Sequence, residues 1–428
     1  MKYYSLNNNA PKVSFQEAVV QGLAPDKGLY FPEKITQLPN KFFENIDDFS
    51  YPEIAFELIK QFVGDEIPKE ELKSIISETL NFEFPLVKIE TDIYTLELFH
   101  GPTMAFKDVG ARFMARCLSY FNKNNENEIT VLVATSGDTG GAVASGFLDV
   151  KGVNVVILYP SGKVSNVQEK QLTTLGKNIK ALEVDGTFDD CQKMVKRAFL
   201  DTAITDKIQL TSANSINVAR WLPQMFYFVF AYQQLKNRSK KIIFSIPSGN
   251  FGNICAGMMT QKLGLPIHKF IAATNANAVV PIYLETQKYS PIRSIQTISN
   301  AMDVGDPSNF IRIQEIFKNN FKKLKKQLHS HSFTDYETRD AILNMYTNSK
   351  YIADPHGAIG YLGLKKYMEN QSQGIFLETA HPVKFLEVVE PIIKKSISLP
   401  KQIKDIIDRD KKATYIKNYG ELKDYLIK

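Results

Sequence analysis

The sequence predicts an α/β protein whose parallel sheets are flanked by helices. From about residue 91, short apolar runs rich in β-branched residues alternate with stretches that have helical spacing of apolar positions. The apolar runs are bounded by Gly and Pro, which is typical of strands buried on both faces. The predicted strands are residues 131–135, 154–159, 179–184, 241–246, 270–274 and 374–377, and the predicted helices between them include residues 108–121, 141–150, 188–203 and 254–263.

The first 90 residues follow a different pattern. Apolar positions have helical spacing at residues 15–21, 51–62 and 69–79, and an extended piece at residues 29–32 ends in a turn. Strand and helix patterns do not alternate in this part of the chain. We therefore expect a separate, mostly helical N-terminal domain over residues 1–90, followed by the α/β core over residues 91–428.

Composition and charge exclude several classes of protein. Of the 428 residues, 44% are hydrophobic and 23% are charged, as in ordinary globular proteins, and the net charge of +6 is too small to indicate a nucleic-acid partner. The strongest apolar run, residues 225–232, is much too short to cross a bilayer, so it predicts a buried helix segment and no membrane anchor.

Cysteine usage and the N-terminus indicate the compartment. Cys117, Cys191 and Cys255 are odd in number and far apart, so they form neither a disulfide framework nor the spacing of a metal site. Asparagines occupy positions 7–9, where a signal peptide would need an apolar core. We expect a cytoplasmic protein with no bound metal.

A loop at residues 248–253, Ser-Gly-Asn-Phe-Gly-Asn, follows a predicted strand and opens a helix. Glycines let a backbone approach an anion closely, and amides at a helix N-terminus point towards it. The loop is either a phosphate cradle or a plain strand-to-helix turn. It has neither the Gly-Lys-Ser/Thr ending of a Walker motif nor the spacing of a dinucleotide fingerprint. A cofactor with one small phosphate therefore fits this loop better than a nucleotide does.

Residues 135–141, Thr-Ser-Gly-Asp-Thr-Gly-Gly, form a second turn between a predicted strand and a helix of small residues. Hydroxyls, amides and one carboxylate converge at the start of that helix, which suits the binding of a carboxylate or a phosphate. Ser, Asp and Thr are also favoured helix caps, so the turn has a purely structural interpretation as well.

A third turn, beginning at Phe99, leads to Lys107 at the start of a helix. Ala105, Phe106 and Val109 surround this lysine with apolar groups. Such surroundings lower the pKa of a lysine and favour the neutral amine that a Schiff base requires. The alternative is a surface lysine that covers a hydrophobic face.

The three segments occur together and in a recognisable order. They are Phe106-Lys107-Asp108, Ser136-Gly137-Asp138-Thr139-Gly140 and Gly249-Asn250-Phe251-Gly252, and further matching segments lie at residues 13–15, 28–32, 96–103, 212–217 with Arg220, 272–275, 300–304 and 379–385. Across nearly its whole length the chain resembles the threonine synthase family of fold-type II pyridoxal-phosphate enzymes. The resemblance implies a core of two lobes, the smaller at roughly residues 125–235, in a monomer or a homodimer.

The resemblance also implies roles for individual residues. Lys107 would form the Schiff base with pyridoxal 5′-phosphate and serve as acid and base on the substrate. Thr379 would lie against the pyridine nitrogen, and Asp138 near the 3′-oxygen. The expected phosphate-binding residues are Gly249, Asn250, Phe251, Gly252 and Asn253, and the expected substrate-binding residues are Ser136, Thr139, Asn217 and Arg220.

The implied reaction converts O-phospho-L-homoserine and water to L-threonine and phosphate by γ-elimination and β-addition, the last step of threonine biosynthesis. A hydroxyl at the ring nitrogen, in place of a carboxylate, suits elimination and replacement. Three alternatives remain: a hydroxy-amino-acid dehydratase or phospho-lyase of the same fold, a non-catalytic phosphate sensor, and a nucleotide-binding α/β enzyme. The intact Lys107 argues against the sensor, and the absent nucleotide motifs argue against the last.

Overall fold

The computed structural model describes residues 1–123 and 128–428. The strands are β1 (Tyr3–Ser5), β2 (Tyr30–Pro32), β3 (Leu86–Glu90), β4 (Ile93–Glu97), β5 (Ile129–Ala134), β6 (Val153–Pro160), β7 (Ile179–Val184), β8 (Gln209–Thr211), β9 (Lys241–Pro247), β10 (Lys269–Thr274), β11 (Leu328–Ser332), β12 (Ser372–Glu378) and β13 (Thr414–Ile416).

Helices cover both sheets and build the N-terminal part. They are α1 (Phe15–Gln21), α2 (Asn40–Glu44), α3 (Tyr51–Val63), α4 (Lys69–Thr79), α5 (Lys107–Phe121), α6 (Asp138–Phe147), α7 (Asn166–Thr173), α8 (Phe188–Ala198), α9 (Thr202–Thr205), α10 (Val218–Trp221), α11 (Met225–Gln234), α12 (Gly252–Lys262), α13 (Val279–Thr286), α14 (Phe310–Ile316), α15 (Phe321–Gln327), α16 (Asp335–Ser349), α17 (Pro355–Tyr367), α18 (Leu386–Ile393), α19 (Lys401–Ile407) and α20 (Tyr419–Ile427). Short 3₁₀ turns occur at Ile46–Asp48, Gly64–Glu66, Leu222–Gln224, Asn300–Met302 and Pro382–Phe385.

Helix α3 shows how the N-terminal segment folds. Ser50 and Glu53 form a reciprocal capping box at its start, and Gly64 ends it with a positive φ of 68°. Apolar residues at helical spacing, such as Leu58 and Phe62, are fully buried between α4 and α11. The segment is mostly helical, as predicted, with an antiparallel pair formed by β1 and β2.

The larger sheet has the strand order β11-β10-β9-β12-β4-β3 in the described part of the chain. Its neighbouring strands are parallel, except that β3 and β4 are antiparallel. Helix α17 packs along β9, β10 and β12. The proposed domain limit at residue 90 coincides with the end of β3, a strand that already belongs to this sheet.

The smaller sheet has the order β13-β7-β6-β5-β8, with parallel pairing throughout the described strands. The two sheets and their helices confirm the predicted α/β fold of type II. The C-terminal segment returns to this lobe, because β13 pairs with β7 and α20 packs on α8 and α9. The range expected for the smaller lobe, 125–235, did not include this C-terminal segment, because a three-residue strand has no periodic signal in the sequence. Residue 125, the first of that range, lies outside the described residues.

Two of the predicted helices differ from the observed ones by three residues or more. The predicted helix 188–203 is divided into α8 and α9, because the Asp201 carboxylate accepts from the Ala203 amide and caps a new helix. The predicted helix 141–150 begins earlier, at Asp138. Residues 225–232 are buried within α11, as expected. Within residues 1–123 and 128–428, the helices fall short of the length and apolarity that crossing a membrane requires.

Candidate active site

Each sheet reverses its strand order at one point, and the loops that follow those strands line one cavity. In the larger sheet the reversal lies between β9 and β12, and in the smaller sheet between β5 and β8. Parallel α/β sheets bind ligands at the carboxyl ends of strands at such points. The cavity is lined by Phe106, Lys107, Ala134, Ser136, Asp138, Thr139, Phe188, Gln192, Asn214, Ser215, Arg220, Gln224, Pro247, Ser248, Gly249, Asn250, Phe251, Gly252, Asn253, Ile254, Ala301, Met302, Val304, His356 and Thr379.

Lys107 begins α5, and the backbone before it is held from two sides. The Phe106 amide donates to the Thr379 carbonyl at 2.8 Å, and the Tyr227 hydroxyl donates to the Phe106 carbonyl. Burial lowers the pKa of Lys107 from 10.5 to about 8, because it penalises the ammonium form. The charge of Asp138 partly opposes this shift, while Arg220 adds to it. A lysine poised in this way supplies a neutral amine near physiological pH.

The turn after β5 is shaped by Thr135. Its hydroxyl accepts hydrogen bonds from the amides of Gly137 at 3.0 Å and Gly140 at 2.8 Å. Gly137 has a φ of 134°, a conformation that an L side chain rarely adopts. The next residue, Asp138, begins α6, so the turn directs the first amides of that helix and one carboxylate to the cavity.

Asp138 is a buried carboxylate with a buried partner. Burial alone would raise its pKa, but the charges of Lys384 and Lys107 and hydrogen bonds from Lys384 and Gln168 hold the pKa well below its usual range. The Lys384 Nζ lies 2.6 Å from the Asp138 Oδ1, and its side chain is fully buried. Lys384 also donates to the Thr103 carbonyl at 2.9 Å. Sequence reasoning assigned no role to Lys384, although it lies in the matching segment 379–385.

The loop after β9 approaches its surroundings closely. A Cβ atom at Gly249 would lie 2.7 Å from the Met302 Cα, which is closer than real Cβ contacts allow, and 3.1 Å from the Ala301 carbonyl oxygen. Phe251 adopts the left-handed conformation, with φ 60°, and α12 begins at the next residue. The loop thus directs the N-terminal amides of an 11-residue helix to the cavity.

Asn253 provides the clearest sign that this cavity takes a polar ligand. The residue is 7% exposed and lines the cavity. Neither polar atom of its side chain has a hydrogen-bond partner among the described residues. An unpaired buried amide costs free energy, about 1–3 kcal/mol, unless a ligand or water satisfies it. The helix start and this side chain together fit an anionic group such as a phosphate.

A hydrogen-bond network connects the same loop to the rest of the molecule. The Asn250 side chain donates to the Ser215 hydroxyl at 3.0 Å and accepts from the Ser308 amide at 2.7 Å. Asn309 donates to the Asn250 carbonyl at 3.1 Å, and its own side-chain oxygen accepts from Arg312 at 2.7 Å. Hydrogen bonds within the protein therefore hold this loop in place.

Arg312 is the centre of this network, and sequence reasoning did not identify it. Its guanidinium is fully buried and donates to the carbonyls of Tyr30 at 3.0 Å, Ser215 at 3.1 Å and Ile216 at 2.6 Å. It also lies 4.3 Å from the centre of the Trp221 ring. Arg312 thus connects the N-terminal segment to the loops that surround the site.

Thr379 lines the cavity directly after β12, next to a buried carboxyl pair. Burial and then the neighbouring Asp354 carboxyl raise the pKa of Glu378 well above its usual value. The Asp354 Oδ1 lies 2.5 Å from the Nδ1 of His356, whose Nε2 accepts from the Ala301 amide at 3.3 Å. His356 therefore supports the turn that packs against Gly249. Sequence reasoning left its role unassigned.

Arg220 reaches the cavity from α10. One of its terminal nitrogens donates to the Ala213 carbonyl, while its Nε has no partner among the described residues. Burial lowers its pKa to about 10, so the side chain stays cationic at neutral pH. Ser136 and Thr139 are partly exposed and line the same cavity. These three side chains can bind an anion beside Lys107.

Asn217 is the one expected site residue outside the cavity lining, which corrects the expectation. Its amide donates to the carbonyls of Val19 at 2.8 Å and Ser212 at 3.2 Å, and its oxygen accepts from the Ala219 amide. Asn217 is fully buried and caps α10, so it serves the fold and orients Arg220 only indirectly. The resemblance implied a ligand contact at a position where the asparagine side chain is a helix cap.

Comparisons with known proteins agree with this geometry. The chain matches the family models for "Threonine synthase N terminus" over residues 2–80, "Pyridoxal-phosphate dependent enzyme" over residues 81–377 and "Threonine synthase, C-terminal" over residues 357–426. It is 44% identical over 410 residues to a threonine synthase of Buchnera aphidicola from Acyrthosiphon pisum, and the match covers 95% of each chain.

Two solved structures are similar over the full length. The crystal structure of threonine synthase from Escherichia coli has a TM-score of 0.95 at 39% identity and covers 100% of this chain and 99% of that chain. The structure of PLP-bound threonine synthase from Brucella melitensis has a TM-score of 0.93 at 33% identity, with coverage of 100% and 99%. Full-length similarity in sequence and in fold, joined to a cavity with a poised lysine, identifies the chain as a member of the threonine synthase family of pyridoxal-phosphate-dependent enzymes.

Proposed function

We propose that the protein converts O-phospho-L-homoserine and water to L-threonine and inorganic phosphate, as a pyridoxal-phosphate-dependent carbon–oxygen lyase of threonine biosynthesis. The main supporting observation is that Lys107 and the starts of two helices, α6 and α12, line one cavity. One cradle suits the cofactor phosphate and the other suits the anionic groups of the substrate.

The residues present fit pyridoxal phosphate. Lys107 offers an amine whose pKa of about 8 leaves part of it neutral at physiological pH. Gly249, Asn250, Phe251, Gly252 and Asn253 would hold the phosphate at the start of α12. Thr379 would face the pyridine nitrogen and Asp138 the 3′-oxygen. When bound, the cofactor supplies an electron sink for carbanions at the substrate carbons.

In this proposal the side chains of the site have separate roles. The Lys107 Nζ would hold the cofactor covalently and, as a free amine, would move protons at the substrate carbons. Its single amine can serve several successive transfers because it remains tethered beside them. Arg220, Ser136 and Thr139 bind the substrate anion and orient the carbon chain. Charge-assisted hydrogen bonds of this kind contribute about 1.5–3 kcal/mol each.

Substrate preference tests the proposal. Purified holoenzyme is incubated separately with O-phospho-L-homoserine, L-homoserine and L-serine, and amino acids, keto acids and phosphate are quantified. We expect threonine and phosphate in equal amounts from the phosphorylated compound and almost none from homoserine, which lacks both the anion and a good leaving group. Rapid keto-acid formation from serine, with no threonine from phosphohomoserine, would favour a dehydratase instead.

A conservative variant tests the second anion site. We expect Arg220→Lys to raise the KM for phosphohomoserine while the visible absorbance of the bound cofactor persists, because lysine keeps the charge but loses the Nε donor. Arg339→Lys, an exposed change on α16, is the matched control and should leave KM unaltered. An unchanged KM in the Arg220 variant would separate Arg220 from substrate binding.

We propose a cytoplasmic location on the basis of the cysteines. Cys117, Cys191 and Cys255 are free and buried, which supports a reducing, cytoplasmic location. A monomer or a homodimer remains the proposed assembly, and sedimentation of the purified protein at several concentrations distinguishes the two.

A further inference from the structure

Two lysines from distant parts of the chain, Lys107 half-buried and Lys384 fully buried, share one carboxylate. Lys107 begins α5, Lys384 lies in the 3₁₀ turn Pro382–Phe385 after β12, and Asp138 begins α6 in the other lobe. Lys384 makes the close contact, 2.6 Å to the Asp138 Oδ1, while Lys107 interacts with the same carboxylate electrostatically. Asp138 has a relative side-chain exposure of 4% and Lys384 has 0%, so water screens this group weakly.

The charge count has a chemical consequence. Burial raises the pKa of Asp108, the other carboxyl near Lys384, so the two lysine amines compete for the one carboxylate whose pKa is held low, that of Asp138, and one amine is left without a close counter-ion. Lys384 occupies the ion-pair position, so the amine without a close counter-ion is Lys107, the one that must be neutral to react. In the absence of Lys384, Asp138 would be a buried anion whose nearest cation is Lys107, and that pairing would favour the unreactive ammonium.

We propose that Lys384 is a positioning residue that occupies the Asp138 carboxylate with its own charge and thereby keeps Lys107 available as a neutral amine. This inference rests on the proposed attachment of the cofactor to Lys107. It gives a role to Lys384, a buried cation that is not among the residues proposed to bind the substrate or the cofactor.

The other contacts of Lys384 support this position. The ammonium donates to the Thr103 carbonyl at 2.9 Å, a carbonyl that also accepts from Gln171 at 3.0 Å. Thr103 in turn donates its amide to the Asp108 carboxylate at 2.9 Å, on the first turn of α5. Lys384 therefore has a fixed location relative to Lys107 in addition to its charge.

The charged groups around the reacting amine determine the expected direction of change. Asp138 on α6 raises the pKa of Lys107, whereas Arg220 on α10 and Lys384 lower it, and burial is the largest cause of the lowered value. Asp108 on α5 faces Lys384 and Arg220. Loss of the Lys384 charge should thus raise the pH at which Lys107 becomes reactive, and loss of the Asp138 charge should lower it.

The test compares Lys384→Met, Asp138→Asn and the double variant. Pyridoxal phosphate is added to cofactor-free protein, and the rate at which a borohydride-reducible visible band appears is measured from pH 6 to pH 10. We expect the midpoint to rise by about 1–3 pH units in Lys384→Met, to fall in Asp138→Asn, and to return towards wild type in the double variant. Lys240→Met is the control, because Lys240 pairs with Asp92 at 2.7 Å before β9, at the opposite end of the strand.

A purely structural role would lower thermal stability without moving the midpoint. A wild-type midpoint in folded Lys384→Met, a wild-type midpoint in Asp138→Asn, or a double variant that keeps the midpoint of Asp138→Asn would overturn the inference. If Lys384→Met fails to fold, the latter two variants still decide, because neither leaves an unpaired carboxylate. Failure of the underlying site assignment is recognised separately, since Lys107→Ala would then still give a reducible band.

Discussion

The Phe106 amide donates to the Thr379 carbonyl at 2.8 Å, so the residue before Lys107 is bonded directly to the proposed partner of the pyridine nitrogen. Ala105 and Ala380 extend this contact as an antiparallel bridge. The two ends of the proposed cofactor site, the attachment amine and the nitrogen partner, are therefore fixed relative to each other by backbone contacts. Preorganisation of this kind lowers the cost of binding and orienting a reactive group.

Thr379→Val tests the nitrogen contact. Valine keeps the side-chain volume and the backbone bridge but removes the hydroxyl, so we expect the cofactor to remain attached while kcat falls. One lost hydrogen bond is worth about 1 kcal/mol, or roughly a fivefold change in rate. Steady-state kinetics and the visible spectrum measure the two effects.

Thr205→Val, on α9 and outside the residues that line the cavity, is the control for this substitution. If Thr379→Val has wild-type kinetics and an unchanged spectrum, the Thr379 hydroxyl does not contact the ring. If the cofactor is lost instead, the hydroxyl contributes to binding more than to catalysis.

The pH dependence of cofactor attachment tests the state of Lys107. A pKa of about 8 leaves roughly a tenth of the amine neutral at pH 7, compared with roughly one part in 3,000 at the ordinary value of 10.5. Because the neutral amine reacts, the attachment rate in cofactor-free protein should rise as pH increases through 8 and level off above about pH 9. Stopped-flow absorbance after addition of pyridoxal phosphate follows this rate.

Lys107→Ala is the companion variant and should give no band that borohydride can fix. A rate that keeps increasing tenfold per pH unit up to pH 10 would falsify the lowered pKa. A fixed band in Lys107→Ala would point to another lysine as the attachment site.

The sequence predicted the fold class because long stretches carry a clear period. Alternating β-branched runs and helical spacing identified the central strands of both sheets, such as β5 and β9, which are buried on both faces. Strands β8 and β13, at the two edges of the smaller sheet, have three residues each, and such short segments have no measurable period. Their pairing depends on neighbours far away in the chain.

The candidate site was predictable where its residues form local motifs. Lys107, Ser136 and the loop 248–253 have glycines and helix starts beside them, and these features are visible in the sequence. Lys384 lies in a 3₁₀ turn and Arg312 in a short helix, and only the fold brings Asp138 next to Lys384 and Tyr30 next to Arg312. Asn217 is the opposite case. It was expected in the substrate site, but its polar side chain caps α10 and lies outside the cavity lining.

Arg312→Met should destabilise the protein and weaken cofactor binding together. Removal of the guanidinium leaves the buried carbonyls of Tyr30, Ser215 and Ile216 without their donor, at about 1–3 kcal/mol for each unpaired group. The Asn309 side chain that braces Asn250 also loses its anchor. Urea unfolding and a titration with pyridoxal phosphate measure the two consequences.

Arg339→Met on α16 is the control, and it should change the free energy of unfolding by less than about 0.5 kcal/mol because the side chain is exposed. An Arg312 variant with wild-type stability would mean that the carbonyls find other donors. Lower stability with unchanged cofactor affinity would separate the network from the cofactor loop.

Gly249→Ala tests whether the close approach in the loop after β9 serves the cofactor. The added Cβ would lie 2.7 Å from the Met302 Cα and 3.1 Å from the Ala301 carbonyl, and backbone atoms cannot yield as a flexible side chain can. The loop must therefore shift relative to α12, which misdirects the amides proposed to bind the phosphate. We expect the Kd for pyridoxal phosphate to increase at least about tenfold, a cost of about 1.4 kcal/mol. Gly420→Ala in α20 is the control, since its nearest neighbour is the Asn418 side chain at 3.1 Å. Unchanged affinity in Gly249→Ala would show that the loop accommodates the methyl group and that the phosphate does not depend on this backbone position.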